Sequence, residues 1–255
     1  MKKITALLLV ALMLVGILAG CSGSNDMTIE KGKLIMSTNA AFPPYEMTTD
    51  DGGFEGIDIE IAQAIAAKLD LELVIQDMDF DSALLAVQNG KSDMVMAGVS
   101  VTDDRKLVMD FSDSYATGVQ VVIVKEGSDV TMDNLGEKLI GTQRGTTGYI
   151  YASDSVENGG YGEDHVKPYD NGATAVQALL NSQVDCVIID SAPAQEYVKA
   201  NAGLTILDGN WVEEAYAIGM PKGNTDLVNA VNNALKELTD DGTIQNIIDK
   251  YINAK

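Results

Sequence analysis

The sequence predicts an α/β protein of two α/β lobes joined by a two-strand hinge, with a cleft between the lobes. Alternating apolar strands and amphipathic helices predict the class, since this order is typical of a largely parallel sheet covered by helices. A pattern that recurs in the second half of the chain predicts two lobes. Two extended passages between the halves predict the hinge.

The first half of the chain reads as a βαβαβ unit. Three apolar segments have strand length, namely KLIMSTNA, LELVIQDM and DMVMAG. Between them, GIDIEIAQAIAAKL repeats its apolar residues at helical spacing, and DSALLAVQN is a second helix that ends at Gly90. This order predicts a sheet with helices packed against it.

The second half repeats part of this pattern. AVQNGKSDMVMAG aligns with ALLNSQVDCVIID, so that Asn89 matches Asn181. Each copy is a helix end, a turn and a strand that begins after an aspartate. Ligands of open α/β sheets bind beyond the carboxyl ends of the strands. We therefore expect residues 98–100 of one lobe and Asp190 of the other to face a common cleft.

The chain is expected to cross between the lobes twice, through FSDSYATGVQVVIVKEG and EEAYAIGMPKG. Paired crossing strands form a hinge, because closure can be absorbed by a few backbone torsions. The predicted organisation along the chain is a signal peptide at 1–20, a flexible tether at 21–28, lobe one at 29–114 and 216–255, and lobe two at 115–215, with hinge crossings near 114–118 and 214–218.

The first twenty residues read as a signal peptide. Lys2 and Lys3 precede an apolar run that ends near Leu18, shorter than the roughly 20 residues that span a bilayer. The following LAGC resembles a bacterial lipobox, in which Cys21 is acylated and becomes the N-terminus. We expect a lipid-anchored protein on the outer face of the membrane or in the periplasm. An ordinary secretory signal with a chance cysteine is the alternative.

Composition excludes several functions. The formal net charge of −21 makes nucleic acid an unsuitable partner, since phosphate binding needs a basic surface. Cys186 lies in the apolar run VDCVIID and is expected to be a buried small side chain. With a single histidine, His165, and no second thiol in the mature chain, neither a zinc site nor a Cys/His nucleophile can be assembled. No cofactor is expected.

Arg105 is the candidate carboxylate-binding residue. It is one of two arginines beside fifteen lysines, and it follows the third strand of lobe one with Thr102 as an N-cap signal. A planar guanidinium offers a carboxylate two parallel donors, which lysine does not. The alternative is a surface ion pair with Asp103, Asp104 or Asp110.

The neighbours of Arg105 favour a zwitterionic ligand. Gly98 and Ser100 can bring backbone groups and a hydroxyl close to a small molecule. In lobe two, RGTTG opens a helix at Thr147, and free N–H groups at a helix N-terminus attract anions. Asp190 supplies an acid to the same cleft. Together these groups suit one carboxylate and one ammonium.

Several segments carry a family resemblance, in the same order along nearly the whole mature chain: LIMSTNAAFPPYEM, GFEGIDIEIAQAIA, MDFDSALLAVQNGKSDMVMAGVSVTDDRK, FSDSY, GTQRGTTGYIYA, VDCVIID and YAIGMPKG. The sequence resembles the polar amino-acid-binding proteins of bacterial ABC importers, extracellular solute-binding family 3. The resemblance implies a periplasmic-binding-protein (Venus flytrap) fold without enzymatic activity. Such a protein, expected to be a monomer, traps one free L-amino acid and delivers it to a permease and its ATPase.

The resemblance also implies roles for individual residues. Arg105 would bind the ligand α-carboxylate, helped by the backbone N–H groups of Ser100 and Thr147. Asp190 would bind the α-ammonium together with the Gly98 carbonyl and the Ser100 hydroxyl.

Other positions concern the ligand side chain. Phe42 and Phe80 would flank its aliphatic stem, with core packing as the alternative. Gln143 occupies a further contact position. Asn39 stands where several relatives that bind cationic amino acids have an aspartate. An amide donates and accepts, so it removes the simplest reason to name arginine or lysine as ligand.

Four more charged residues lie near these positions. Arg144 is expected at the rim of the cleft or as a partner between lobes. Glu46, Asp79 and Asp81 can meet a cationic side chain or belong to a solvated surface.

Two other functions stay open. Dehydratases of arogenate or prephenate use the same scaffold with a positioned acid, for which Glu46 or Asp190 is available. A ligand-sensing module is the other, and it would need a signalling partner because no membrane segment follows the lobes.

Overall fold

The computed structural model describes residues 27–252. The predicted signal peptide, Cys21 and the tether up to residue 26 lie outside the described residues. The strands are β1 Lys33–Thr38, β2 Ala41–Phe42, β3 Glu46–Thr48, β4 Phe54–Glu55, β5 Glu72–Asp77, β6 Met94–Val95, β7 Met109–Phe111, β8 Ala116–Lys125, β9 Ile140–Gln143, β10 Val166–Tyr169, β11 Cys186–Asp190, β12 Leu204–Ile206, β13 Val212–Tyr216 and β14 Gly219–Pro221. The α-helices are α1 Ile57–Lys68, α2 Phe80–Gln88, α3 Asp103–Val108, α4 Thr147–Ser153, α5 Gly172–Leu180, α6 Ser191–Ala200, α7 Thr225–Asp240 and α8 Thr243–Ile252, with 3-10 turns at Met132–Glu137, Val156–Asn158 and Glu163–His165.

The first lobe is built on a five-stranded sheet of order β5-β1-β6-β14-β7. Strands β5, β1 and β6 are parallel, and β14 is antiparallel to both of its neighbours. Helix α1 packs against β5, α7 and α8, whereas α2 packs against β1, β6 and β14. The apolar spacing of α1 explains its position, because Ile57, Ile61 and Ile65 are all fully buried.

The second lobe has a six-stranded sheet of order β10-β9-β11-β8-β12, with β13 also paired to β8. Alternate residues of β8 and β11 enter different apolar clusters. Val122 and Cys186 pack in the cluster that contains Ala152 of α4, while Val121 and Val187 pack with residues of α5 and α6. Side chains of a strand alternate between its faces, so the second sheet is covered on both faces, as the sequence predicts.

Cys186 is fully buried, which confirms the expectation for this residue. Burial raises the pKa of its thiol to about 12. The group therefore stays protonated at neutral pH and acts as an apolar side chain.

One strand is shorter than the sequence predicts. DMVMAG was expected to form a strand throughout, but β6 contains only Met94–Val95. The backbone leaves the sheet before Gly98, which has a φ of +55°. Few residues other than glycine take up this conformation, and here it turns the chain into the cleft.

The two sheets are connected through β8 and β13, which form an antiparallel pair with Ala116 opposite Tyr216 and Gly118 opposite Glu214. Strand β13 also contacts the first lobe, because the N–H of Val101 donates to the carbonyl of Ala215 at 3.0 Å. We call β8 and β13 the hinge strands. Within residues 27–252, no helix is both long enough and apolar enough to cross a membrane.

Candidate ligand-binding site

The structure brings all nine predicted site residues together around one cavity between the lobes. The free space between these side chains, including the open mouth, amounts to about 320 Å³. Its walls are formed by Asn39, Phe42, Glu46, Phe80, Ala97, Gly98, Ser100, Arg105, Gln143, Thr146, Thr147 and Asp190. Most of these residues end or follow strands β1, β6, β9 and β11 or lie at the start of helices, which places them at the carboxyl ends of both large sheets, whereas Phe42 and Glu46 come from the β2–β3 hairpin.

Arg105 is buried, with only 7% of its surface exposed. The Thr102 hydroxyl accepts from the Arg105 backbone N–H at 3.2 Å and so caps α3. The guanidinium donates to the carbonyl of Ser100 at 2.8 Å and to that of Gly145, in the other lobe, at 3.1 Å. It also lies over the Phe80 ring, 5.5 Å from the ring centre. These contacts fix the guanidinium in the cleft and leave part of its donor set for a ligand.

The surface ion pair considered for Arg105 is wrong. Asp103 pairs with Lys106 at 3.2 Å, and Asp110 pairs with Lys222 at 2.7 Å. Burial lowers the pKa of Arg105, and the negative charge of Glu214 is the largest opposing influence. A guanidinium remains charged in proteins, so Arg105 presents a positive charge to the cavity.

Asp190 presents the opposite charge from lobe two. It ends β11, and its carboxylate accepts hydrogen bonds from the Gln120 side-chain amide at 2.8 Å and from the Tyr216 hydroxyl. Burial raises its pKa to about 7, with a smaller contribution from Glu214. The carboxylate is therefore close to its titration point at neutral pH, and a cation brought next to it would favour the charged form.

Gly98 forms the floor of the cavity. A Cβ atom there would lie 2.8 Å from the Phe42 ring, so a larger residue would displace that ring. The Gly98 N–H donates to the carboxylate of Asp58 at 2.9 Å. This bond holds the loop after β6 in the left-handed conformation that the close approach requires.

Glu46 is fully buried at the floor, so the solvated-surface interpretation of this residue is wrong. Burial is the main cause that raises its pKa well above the usual range, and Asp58 adds to the effect. Burial also raises the pKa of Asp58, to about 6. Because the carboxyls of Glu46 and Asp58 are buried and interact with each other, they favour retention of a proton.

Asn39 and Gln143 meet across the cleft. The Gln143 amide donates to the Asn39 side-chain oxygen at 2.9 Å, and the Asn39 amide donates to the carbonyl of Met78 at 3.0 Å. The two side chains come from different lobes. Their bond therefore closes one end of the cavity with neutral polar groups.

Phe42 and Phe80 line the cavity and also belong to the apolar core, so the two interpretations of these rings are compatible. Phe42 is 7% exposed and stacks on Tyr45 at a centroid distance of 5.8 Å. Phe80 is 6% exposed and supports the guanidinium of Arg105.

Sequence reasoning missed three residues of the hinge strands, Gln120, Glu214 and Tyr216. Gln120 and Tyr216 hold Asp190, as described above. One carboxylate oxygen of Glu214 accepts from the Ser100 hydroxyl at 3.0 Å, from the Thr147 hydroxyl at 2.8 Å and from the Gln120 amide at 3.1 Å. The available signal was the alternation of Glu214 and Tyr216 along an extended segment, which puts both side chains on one face.

Comparison with known proteins places this geometry in a family. Residues 34–254 match the bacterial extracellular solute-binding proteins, family 3. The chain belongs to this family. The family assignment confirms the resemblance, and the first and second sheets with their hinge strands form its two-lobed periplasmic-binding-protein fold.

Relatives cover nearly the whole chain. The arginine-binding extracellular protein ArtP of Bacillus subtilis (strain 168) is 34% identical over 98% of this chain and 98% of its own length. The L-cystine-binding protein TcyJ of Escherichia coli (strain K12) is 30% identical over 96% of this chain and 95% of its own length.

Solved structures agree. An ancestral arginine-binding protein bound to arginine has a TM-score of 0.80 at 38% identity, over 87% of this chain and 98% of that one. The arginine-, lysine-, histidine-binding protein ArtJ from Geobacillus stearothermophilus has a TM-score of 0.81 at 33% identity, over 88% of this chain and 96% of that one. These proteins bind solutes, and no observation on residues 27–252 favours the dehydratase alternative.

Proposed function

We propose that this extracytoplasmic solute-binding protein captures a free L-amino acid between its lobes and delivers it to the permease and ATPase of an ABC importer. The observation that carries the proposal is the pair of buried opposite charges, Arg105 from lobe one and Asp190 from lobe two, at one cavity. An α-amino acid has the two complementary charges on adjacent groups.

The carboxylate half of the ligand is assigned to lobe one. Arg105 would form a charge-assisted bond to the α-carboxylate, and the backbone N–H groups of Ser100 and Thr147 would complete the contacts. The ammonium half is assigned to Asp190, the Gly98 carbonyl and the Ser100 hydroxyl. Each ligand charge would then meet an opposite charge in a site from which most water is excluded, where such pairs are strongest.

The side chain of the ligand is proposed to be polar or basic. Phe42 and Phe80 would flank its stem, and the Asn39–Gln143 pair would meet its far end with amide donors and acceptors. Relatives that are named for arginine, cystine and histidine support this range. Arginine and glutamine, each bound by an ancestral protein of similar fold, are the first ligands to test.

Lobe closure is proposed as the capture step. With lobe one at 29–114 and 216–255 and lobe two at 115–215, closure requires changes only near 114–118 and 214–218. The ligand would contact Arg105 in one lobe and Asp190 in the other. Contacts made only in the closed form shift the population toward closure.

The test is thermal unfolding of residues 22–255, first stripped of ligand by unfolding and refolding, with each of the twenty common amino acids, cystine and ornithine. A ligand present at 100 times its dissociation constant should add about 2.7 kcal/mol of stability. We expect a rise with one or a few amino acids, checked by isothermal titration calorimetry. A folded, ligand-free protein that responds to none of them would contradict the proposal.

The proposed location is the outer face of a membrane, through lipid on Cys21. Supporting it are the lipobox-like LAGC and the apolar run before it. In cells, Cys21→Ser should move the protein from the membrane fraction to the soluble or secreted fraction. Recovery of both forms in the membrane fraction would contradict lipid anchoring. Light scattering of the soluble part is expected to give a monomer.

A further inference from the structure

Glu214 lies on hinge strand β13, directly opposite Gly118 of β8. Its carboxylate contacts Ser100 and Thr147, which line the cavity, but Glu214 itself is not part of the cavity wall. Glu214 would therefore act on a ligand through the residues that it contacts or through its charge.

The contacts of Glu214 join both lobes and the hinge. Its oxygen Oε2 accepts from the hydroxyl of Ser100 in lobe one at 3.0 Å, and from that of Thr147 in lobe two at 2.8 Å. The third donor, the Gln120 amide at 3.1 Å, also donates to Asp190 at 2.8 Å. This set of bonds forms only when Ser100 and Thr147 approach the hinge together.

The chemistry of these bonds fixes what the two hydroxyls can offer. A carboxylate only accepts hydrogen bonds, and a serine or threonine hydroxyl has one hydrogen to donate. Ser100 and Thr147 both direct that hydrogen to Glu214. What remains for the cavity is oxygen lone pairs, which accept from an ammonium and repel a carboxylate.

Glu214 also acts on the charged residues of the cleft. Its second carboxylate oxygen, Oε1, is buried, and Tyr151 of lobe two interacts with the Glu214 side chain. Its negative charge opposes the effect of burial on the pKa of Arg105 and adds to the rise in the pKa of Asp190. The side chain thus affects the charged groups of the cleft although it is not part of the cavity wall.

We propose that Glu214 is a positioning residue, which orients the Ser100 and Thr147 hydroxyls as acceptors for the ligand ammonium and links that orientation to lobe closure. The inference rests on the proposed function, because it concerns the same amino-acid site. It adds a residue outside the cavity wall and assigns both hydroxyls to the ammonium side of the ligand.

The test compares wild type with Glu214→Gln and with Glu213→Gln as a matched control. Glu213 is the exposed neighbour on the same strand, so its replacement removes the same charge. The probe is the amino acid, among the twenty and cystine, that stabilises wild type most. Glu214→Gln should weaken its binding about tenfold or more in calorimetry, in line with hydrogen bonds to charged groups. Glu213→Gln should stay within about twofold of wild type, as expected for an exposed charge.

A double-mutant cycle separates orientation of the hydroxyls from a general charge effect. Ser100→Ala/Thr147→Val removes both hydroxyls and should itself weaken binding by a similar factor. Adding Glu214→Gln to this background should then have an effect of no more than about threefold, since coupled residues are not additive. If Glu214→Gln does not fold, as judged by circular dichroism, the hydroxyl variant alone still tests the inference, and its unchanged affinity would overturn it.

Three results overturn the inference while leaving amino-acid binding in place. They are unchanged affinity in Glu214→Gln, tighter binding in that variant, and an equal loss with and without the two hydroxyls. Failure of wild type to bind any amino acid would instead overturn the proposed function and the inference with it.

Discussion

Arg105 and Asp190 carry the opposite charges of the cleft, and the protein holds them by different kinds of group. The guanidinium of Arg105 donates to two backbone carbonyls, those of Ser100 and Gly145. The carboxylate of Asp190 accepts from the side chains of Gln120 and Tyr216, both on the hinge strands. The arginine half of the site is therefore fixed by the main chain. The aspartate half depends on side chains and on a group that titrates near neutral pH.

The largest expected effect comes from the arginine half. Arg105→Ala should weaken amino-acid binding by about 2–5 kcal/mol, because it leaves the ligand carboxylate without its buried partner. Arg144→Ala removes the same charge at an exposed position of the neighbouring loop and should cost less than about 1 kcal/mol. Calorimetry of both variants is the measurement. Equal losses would mean that only the total charge matters.

Replacement of Asp190 should weaken ligand binding without reducing the stability of the ligand-free protein. Asp190→Asn should weaken binding by about 2–3 kcal/mol through loss of a charged partner for the ammonium. The same change should leave the ligand-free protein as stable or more stable at pH 8, because it removes a buried carboxylate that is costly to ionise. Calorimetry measures the affinity and urea unfolding measures the stability. Asp185→Asn, on the segment before β11, is the control for affinity. A large loss of stability would assign Asp190 a structural role instead.

Binding should depend on pH through the aspartate half. Asp190 has a pKa near 7 and must lose its proton to pair with the ammonium. Affinity should therefore fall as the pH is lowered from 8 to 5, approaching about tenfold per pH unit below 7. Asp190→Asn should flatten this dependence. A wild-type affinity that is constant from pH 8 to 5 would contradict the raised pKa of Asp190.

Stability of the ligand-free protein should change in the opposite direction. Folding raises the pKa values of Asp190, Asp58 and Glu46, so between pH 5 and 8 the folded state binds more protons than the unfolded chain. The free energy of unfolding then decreases as pH rises through this window. Urea unfolding at pH 5.5 and 8 measures it, and greater stability at pH 8 would refute the raised pKa values.

The smallest expected effect concerns the far end of the cavity. Asn39→Asp replaces an amide that donates to the Met78 carbonyl with a carboxylate that cannot donate. The ratio of arginine affinity to glutamine affinity should rise by roughly two- to fivefold, as for a partly screened charge pair. Competition binding measures the ratio. An unchanged ratio would place the ligand side chain elsewhere.

The sequence indicates one part of this site well and another part poorly. Gly98, Asp190 and Thr147 each end or follow a strand or begin a helix, and the topology of the sheets brings such positions to one edge. Gln120, Glu214 and Tyr216 could not be assigned in the same way. Their contacts depend on the register between β8 and β13, segments far apart in the chain, and local alternation does not fix that register.

Glu46 shows a second limit of sequence reasoning. A glutamate between a tyrosine and a methionine reads as a surface residue, because charged side chains are seldom fully buried. Its burial results from the packing of the β2–β3 hairpin onto the first lobe beside Asp58. Such tertiary packing leaves no signal in the spacing of apolar residues along the chain.

The central claim is that two opposite charges hold the two charged groups of one amino acid. It is tested most directly by calorimetry with three molecules: the amino acid that stabilises the protein most, the amine that remains after its decarboxylation, and the acid that remains when its amino group is replaced by hydrogen. Each analogue should bind at least about 100-fold more weakly than the amino acid, a difference of about 2.7 kcal/mol. An amine or acid that binds within tenfold of the parent would contradict the claim for Arg105 or for Asp190, respectively.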